Sequence, residues 1–397
     1  MSASAPETVP HATQLRYCVW EITLRCDLSC GHCGSRAGKA RPDELSTEEA
    51  LEVVRQLHEM GCREVTLIGG EAYLRPDWTK ISRAVKDAGM LCTMTTGGRG
   101  ITPERAQEAA DGGLDSVSVS VDGIGEVHDK QRGLKGSWEA ARQAIQNLRS
   151  VGLNVSVNTQ INRLTFPQLD ELLELLIAWG CFAWQVQFTV PMGRAADNWE
   201  WLLQPYEILD AVPKVAQLKA HGAKHGVRIW PGNNVGYFGP HETELRGETF
   251  SSGHTPGCTA GLYTLGLEAD GKVKGCPSLP SADYTGGNVR EASIREIWEQ
   301  SDPLQFARDQ RDHTWGYCKT CYYSQDCRGG CTWTAHVFFG KPGNNPYCHH
   351  RALERQRAGL RERFQPVQQA PGVPFDYALF ELVLDEVPGR PLPVARS

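Results

Sequence analysis

Between residues 17 and 190, six short segments rich in valine, isoleucine, threonine and aromatic residues alternate with longer amphipathic stretches. The short segments are 17–24, 64–68, 91–95, 116–121, 153–161 and 183–190. Apolar residues recur every three or four positions in 47–60, 137–151 and 166–178. Capping candidates stand before these helices: Ser46 ahead of Thr47-Glu48-Glu49, Gly136-Ser137, and Thr165 ahead of Phe166-Pro167. Strand–helix units in series require a parallel sheet covered by helices, because each crossover returns over a sheet face. The count predicts an α/β fold, a partial (β/α)6 TIM-type barrel with its chemistry at the C-terminal strand ends. A sixth helix is expected over 206–226 despite Pro213, and loop sequence at 232–257 is expected to end the barrel. The predicted organisation is a flexible N-terminus (1–14), the barrel (15–235), a linker (236–257), a C-terminal α+β domain (258–350), and a helix and tail (351–397).

Composition matters at one point, the 14 cysteines. They are too sparse for a small disulfide scaffold and too many for an ordinary cytosolic enzyme. A net charge of -6 argues against a nucleic-acid surface. No apolar run approaches the ~18 residues of a membrane span, and the N-terminus lacks the order of a secretory signal. A cytoplasmic protein is expected, without nucleic-acid or membrane partners. Cys18, Cys62, Cys92 and Cys181 lie among apolar neighbours and are read as core thiols.

The other ten form two groups. Cys26, Cys30 and Cys33 make a C-x3-C-x2-C triplet in the loop after the first strand, on the catalytic rim of such a barrel. Three thiolates can hold three irons of a cubane and leave the fourth open. A structural zinc prefers four closed ligands, and His32 is awkwardly placed beside Cys33 to be the fourth. Cys258, Cys276, Cys318, Cys321, Cys327, Cys331 and Cys348 crowd the C-terminal third, where zinc remains an alternative for the C-x2-C-x5-C-x3-C run. The segments 262–267 and 272–274, split by Ala269-Asp270-Gly271, predict a hairpin.

The triplet and the motifs that follow it resemble the radical S-adenosylmethionine (SAM) enzymes over about residues 15–230. By that resemblance Cys26, Cys30 and Cys33 hold the cofactor-binding cluster and His32 is the ring residue before the last cysteine. Gly69-Gly70-Glu71 resembles the GGE motif that receives the methionine amino group. Ser118, Ser120 and Asp122 end the fourth strand; with His128-Asp129 and Arg132-Gly133 they resemble the ribose- and carboxylate-binding segment. Alternation puts both serines on one strand face. Asn158 on the fifth strand and Val190, opening the segment to Arg194 after the sixth, complete the implied cofactor contacts. Thr96-Gly97-Gly98 departs from the family, whose members often carry asparagine there.

The late cysteines resemble the SPASM extension of the same enzymes. The resemblance implies a first auxiliary [4Fe–4S] cluster on Cys258, Cys276 and Cys331 and a second on Cys318, Cys321, Cys327 and Cys348, making three clusters in all. The first lacks a fourth cysteine, so an open or substrate-accessible iron is expected there. The implied activity is reductive cleavage of SAM to a 5′-deoxyadenosyl radical and hydrogen abstraction from a peptide. The expected substrate is a ribosomally synthesised precursor that gains a crosslink or another oxidative modification. A flavodoxin- or ferredoxin-type electron donor is expected. With only 16 residues before the first strand, leader recognition is expected from the late domain or a separate leader-peptide-binding protein. Dehydrogenation or epimerisation of a small molecule or peptide is the alternative activity. Pro277 after Cys276 argues against sulfatase-type maturation. An electron-transfer or metal-binding scaffold would not need the GGE and Ser/Asp strands. In the tail, 351–363 predicts a solvated helix and 375–384 an added strand.

Overall fold

The computed structural model describes residues 14–247, 257–305, 308 and 312–387. The expected flexible N-terminus lies outside them except for residue 14, as do 248–256 of the expected linker and 388–397 of the tail. Six parallel strands form the barrel: β1 (Tyr17–Thr23), β2 (Glu64–Gly69), β3 (Leu91–Thr96), β4 (Ser116–Ser120), β5 (Asn154–Ile161) and β6 (Ala183–Phe188). The sequence-predicted strands correspond to them within two residues at each end. The helices are α1 (Thr47–Glu59), α2 (Trp78–Asp87), α3 (Pro103–Asp111), α4 (Glu126–Arg132), α5 (Ser137–Ser150), α6 (Leu169–Ala178), α7 (Arg194–Asp197) and α8 (Ile208–Lys224). Ser46 caps α1 through a reciprocal box with Glu49. The other two expected caps differ: Gly136 precedes α5 in the left-handed region, and Thr165 makes no capping bond. The Thr165 hydroxyl instead accepts a hydrogen bond from Gln131 at 2.8 Å. Helix α8 runs through Pro213.

A seventh strand, β7 (Arg228–Pro231), which the sequence pattern did not single out, adds in parallel to β6. At its other side the barrel sheet continues into the late domain. Strand β8 (Thr264–Leu267) pairs in parallel with β1, and β9 (Lys272–Lys274) and β10 (Thr285–Asn288) follow antiparallel. The result is one ten-stranded sheet, ordered β10-β9-β8-β1-β2-β3-β4-β5-β6-β7. The hairpin turn holds Gly271 at φ +88°, the left-handed conformation that glycine accepts without strain.

The expected linker is partly structured, with a short helix at Glu242–Arg246 whose Glu242 and Arg246 are buried. The tail corrects the helix read over 351–363. Helix His349–Arg357 stops, the chain turns at Gly359 (φ +72°), and β11 (Leu360–Gln368) pairs antiparallel with β12 (Leu379–Glu386). The expected added strand is therefore present, but it pairs within a separate two-stranded ribbon. Phe364 and Phe380 of this ribbon pack with Phe338, at centroid distances of 4.9 and 5.7 Å, and join the same core as the barrel. Cys18, Cys62, Cys92 and Cys181 are buried core thiols, as read from their neighbours.

Candidate cofactor cavity and late cysteine clusters

The loop after β1 carries the first three thiols and is tied at its base by a bridge between Arg25 and Gly38. Its crest is held from the opposite side of the barrel. The Arg194 guanidinium donates to the Cys30 carbonyl at 2.7 Å and the Ala37 carbonyl at 3.1 Å, and its amide to the Cys33 carbonyl at 2.9 Å. The Gly31 amide donates to the Gln131 carbonyl at 2.8 Å, and the Asn198 amide group to the Gly31 carbonyl at 2.9 Å. So fixed, Cys26, Cys30 and Cys33 all line one cavity of about 290 Å³ at the C-terminal strand ends. Burial pushes the Cys26 thiol up to about 12, with the nearby Glu71 charge adding to it, and raises Cys30 against the lowering influence of Arg132. Metal loading of such thiols would therefore release protons.

The Gly69-Gly70-Glu71 segment lines the same cavity. A Cβ on Gly69 would stand 2.1 Å from the Thr23 carbonyl oxygen, and one on Gly70 2.1 Å from that of Arg25. Only glycine permits β2 to pass the cysteine loop this closely. Glu71 is fully enclosed; it accepts hydrogen bonds from the Thr96 hydroxyl and from the Gly97 amide at 2.6 Å. Burial raises its carboxyl to about 7 against those two bonds. The Thr96-Gly97 loop thus positions the glutamate.

Across the cavity, the chain just past β4 carries Asp122, which has no solvent exposure. Its carboxylate meets His32 Nε2 at 3.0 Å and the Arg132 guanidinium, and accepts from the Gln160 amide at 2.6 Å. Burial alone would raise its pKa; Arg132 and His32 outweigh burial and hold it below the usual carboxylate range. Arg132 also donates to Cys30 Sγ at 3.7 Å, joining the acidic end of β4 to the thiol loop. Ser120 and Asn158 line the cavity, whereas Ser118 is not among its lining residues. His128 accepts from the Asp122 amide at 3.1 Å, and Asp129 caps α5 through the Trp138 and Gly136 amides. Val190 is buried outside the cavity wall. Three lining residues that sequence reasoning missed are Gln160, Gln185 and Gln187. The polar–apolar alternation of β5 and β6 was the available signal, since strands of a buried parallel sheet usually read apolar throughout.

The late cysteines gather in two places. Cys258 and Cys276 pack on a small core of Ala260, Leu279 and Tyr284, and both charges act on Cys331, whose thiol burial pushes up to about 12. Cys318, Cys321, Cys327 and Cys348 line a separate small cavity with Phe238 and Tyr323. Trp333 packs beside the first group and donates through Nε1 to Met192 Sδ at 3.0 Å. Met192 lies against Gly34 of the first cysteine loop.

The residues present fit a cluster with a bound amino-acid sulfonium. Three thiols converge on a cavity with a carboxylate at one wall and a guanidinium at another. The buried His32 Nδ1 and Arg132 Nε in its wall have no hydrogen-bond partner among the described residues. The two glycines keep open the space between β2 and the thiol loop.

The family model of the radical SAM superfamily matches residues 20–176, and that of the SPASM iron–sulfur cluster-binding domain matches 258–322. The AdoMet-dependent heme synthase of Methanosarcina barkeri is 31% identical over 348 residues, covering 85% of this chain and 97% of that one. Mycofactocin maturase MftC of Mycobacterium tuberculosis is 30% identical over 353 residues, covering 87% and 86%. Among solved structures, native anSMEcpe with bound AdoMet aligns at a TM-score of 0.68 and 17% identity, covering 86% of this chain and 95% of that one. Streptococcus suis SuiB bound to precursor peptide SuiA aligns at 0.62 and 16%, covering 85% and 75%. At these identities the solved structures establish the shared fold.

Proposed function

The chain is an enzyme of the radical SAM superfamily with a SPASM iron–sulfur extension, and from that premise we propose that it oxidatively modifies a precursor peptide. The observation that carries this reading is the single cavity shared by Cys26, Cys30, Cys33, Glu71, Asp122 and Arg132. When bound, the iron–sulfur cluster and SAM supply one-electron cleavage chemistry that reaches unactivated C–H bonds. The residues of this chain bind and orient. Cys26, Cys30 and Cys33 would hold the cluster, and Glu71, its carboxylate fixed by Thr96 and Gly97, would receive the cofactor's ammonium. Asp122 and Arg132 fix each other and, through His32 and Cys30, the thiol loop. Glu71 and Asp122 are both buried, so their carboxylates act away from bulk water.

The seven late cysteines divide in this reading as three and four. Cys258, Cys276 and Cys331 hold one auxiliary cluster with an open position; Cys318, Cys321, Cys327 and Cys348 hold another. That gives three clusters, and the barrel (15–235) and late domain (258–350) share the sheet that joins them. An external flavodoxin- or ferredoxin-type donor supplies electrons, and leader recognition falls to the late domain or a separate protein. No described helix is long and apolar enough to cross a membrane; action in the cytoplasm is part of the proposal.

The peptide substrate is supported by the like-folded SuiB, whose structure holds a precursor peptide, and by the maturase relative. A second reading, a step in heme synthesis, is favoured by the 31% identity to a heme synthase. Co-expression with a short open reading frame encoded beside it, followed by mass spectrometry of that peptide, separates the two. Loss of a pair of hydrogens supports an oxidative peptide maturase, and an unchanged mass with an inverted centre an epimerase. An unmodified peptide together with new heme formation in extracts would replace the peptide reading with the second one.

A further inference from the structure

The reaction cavity contains a polar row that reaches past the thiol loop and, of the residues assigned to the cofactor, includes only Asn158. Strands β5 and β6 run in register, with Asn158 opposite Gln185 and Gln160 opposite Gln187. Alternation sends these four side chains to the inner face of the barrel, while Val157, Trp184 and Val186 point the other way and are buried. All four line the cavity, and among the described residues none of the four carboxamide groups has a hydrogen-bond partner. On the last strand of the sheet, Trp230 stands opposite Gln185 and is 38% exposed, its ring covered by the Arg228 guanidinium at 3.8 Å. The row therefore runs toward an aromatic wall at the open side of the barrel.

A carboxamide presents the same neutral donor–acceptor pair as a peptide group. A ligand that covers these amides must satisfy them, since a desolvated, unpaired amide is costly. Of the described lining arginines, Arg132 is paired with Asp122, and the Arg194 guanidinium donates to the Cys30 and Ala37 carbonyls. We propose that Gln160, Gln185 and Gln187 form a subsite that binds peptide groups of the substrate, with Trp230 as the wall against which a neighbouring substrate side chain packs. This rests on the peptide reading above and specifies the residues that recognise the backbone.

The test is equilibrium binding by fluorescence anisotropy to the anaerobically reconstituted holoenzyme. One probe is a pool of end-blocked, fluorophore-labelled hexapeptides without charged side chains; the other is a porphyrin tetracarboxylate. The variants are the pair Gln185→Leu/Gln187→Leu and the isosteric pair Gln185→Glu/Gln187→Glu, the second keeping side-chain volume. Wild type is expected to prefer the peptides, and each pair to weaken peptide binding by about tenfold or more, roughly fivefold per lost hydrogen-bonding group. Unchanged peptide affinity in both pairs overturns the inference alone. A fall in SAM affinity equal to the fall in peptide affinity reassigns the glutamines to the cofactor and also overturns it. Wild-type binding of the porphyrin but not the peptides overturns the peptide reading and the subsite with it.

Discussion

Asp122 and Arg132 form a buried pair whose members are worth more together than apart. Removing Arg132 leaves the buried Asp122 charge with only His32 and the Gln160 amide, and losing one partner of a buried pair is the costly way to break it. Arg132→Met is therefore expected to lower the unfolding free energy in urea by about 3–5 kcal/mol. The sign of its pH dependence follows from Asp122, whose folded pKa lies below its unfolded value near 3.9. The stability this supplies is present above that value and is lost as pH falls through the lower, folded pKa. The gap between wild type and Arg132→Met should accordingly narrow as pH drops below about 4. Glu71 is different, because its hydrogen-bond donors, Thr96 and Gly97, are neutral, and the proposed partner of its charge is the cofactor. Glu71→Gln should weaken SAM binding to the reconstituted protein by tenfold or more, the scale of one charge-assisted hydrogen bond. Equilibrium dialysis that finds unchanged affinity would remove Glu71 from the cofactor site.

At the scale of elements, the parallel strands and their helices were legible because period-two and period-3.6 patterns are local properties of the chain. Ser46 and Glu49 announced α1 by the spacing of a capping box, and the structure forms both of its bonds. The cysteine loop and Gly69-Gly70-Glu71 were legible because close approach and ligand geometry demand particular residue types at fixed spacing. Strand β7 is only four residues long, too short for a period to register. The pairing of β8 with β1 joins segments more than two hundred residues apart, which no local pattern encodes. The run 351–363 carried enough arginine, glutamate and leucine to read as helix throughout, yet Gly359 and the apolar contacts of Phe364 divert it into a ribbon. Tertiary packing overrode propensity there. Phe364 is 1% exposed among Phe338, Tyr347 and Phe380. Phe364→Ala should destabilise by about 3–5 kcal/mol, through lost transfer free energy and the cavity left behind. A urea midpoint within error of wild type would mean that the ribbon adds nothing to the shared core.

The whole molecule is organised around one continuous sheet. Its barrel portion presents three thiols in the reaction cavity, and its extension pairs β8 with β1, so Cys258 and Cys276, which flank β8 and β9, are carried on the same framework. Met192 and Trp333 make direct contact between the two regions. This architecture predicts that metal content is lost in separable portions. Wild type should hold about twelve irons after anaerobic reconstitution, and the variants Cys258→Ala/Cys276→Ala/Cys331→Ala and Cys318→Ala/Cys321→Ala should each hold about four fewer. Iron and sulfide analysis in which zinc replaces iron at either late site would remove that auxiliary cluster from the account.

The most direct test of the central claim is the formation of 5′-deoxyadenosine from SAM by the anaerobically reconstituted, reduced chain, measured beside Cys30→Ala. Wild type is expected to form 5′-deoxyadenosine and methionine, and the variant neither above background. A fully iron-loaded, reduced wild type that forms none, or a Cys30→Ala variant that forms as much, would contradict that claim.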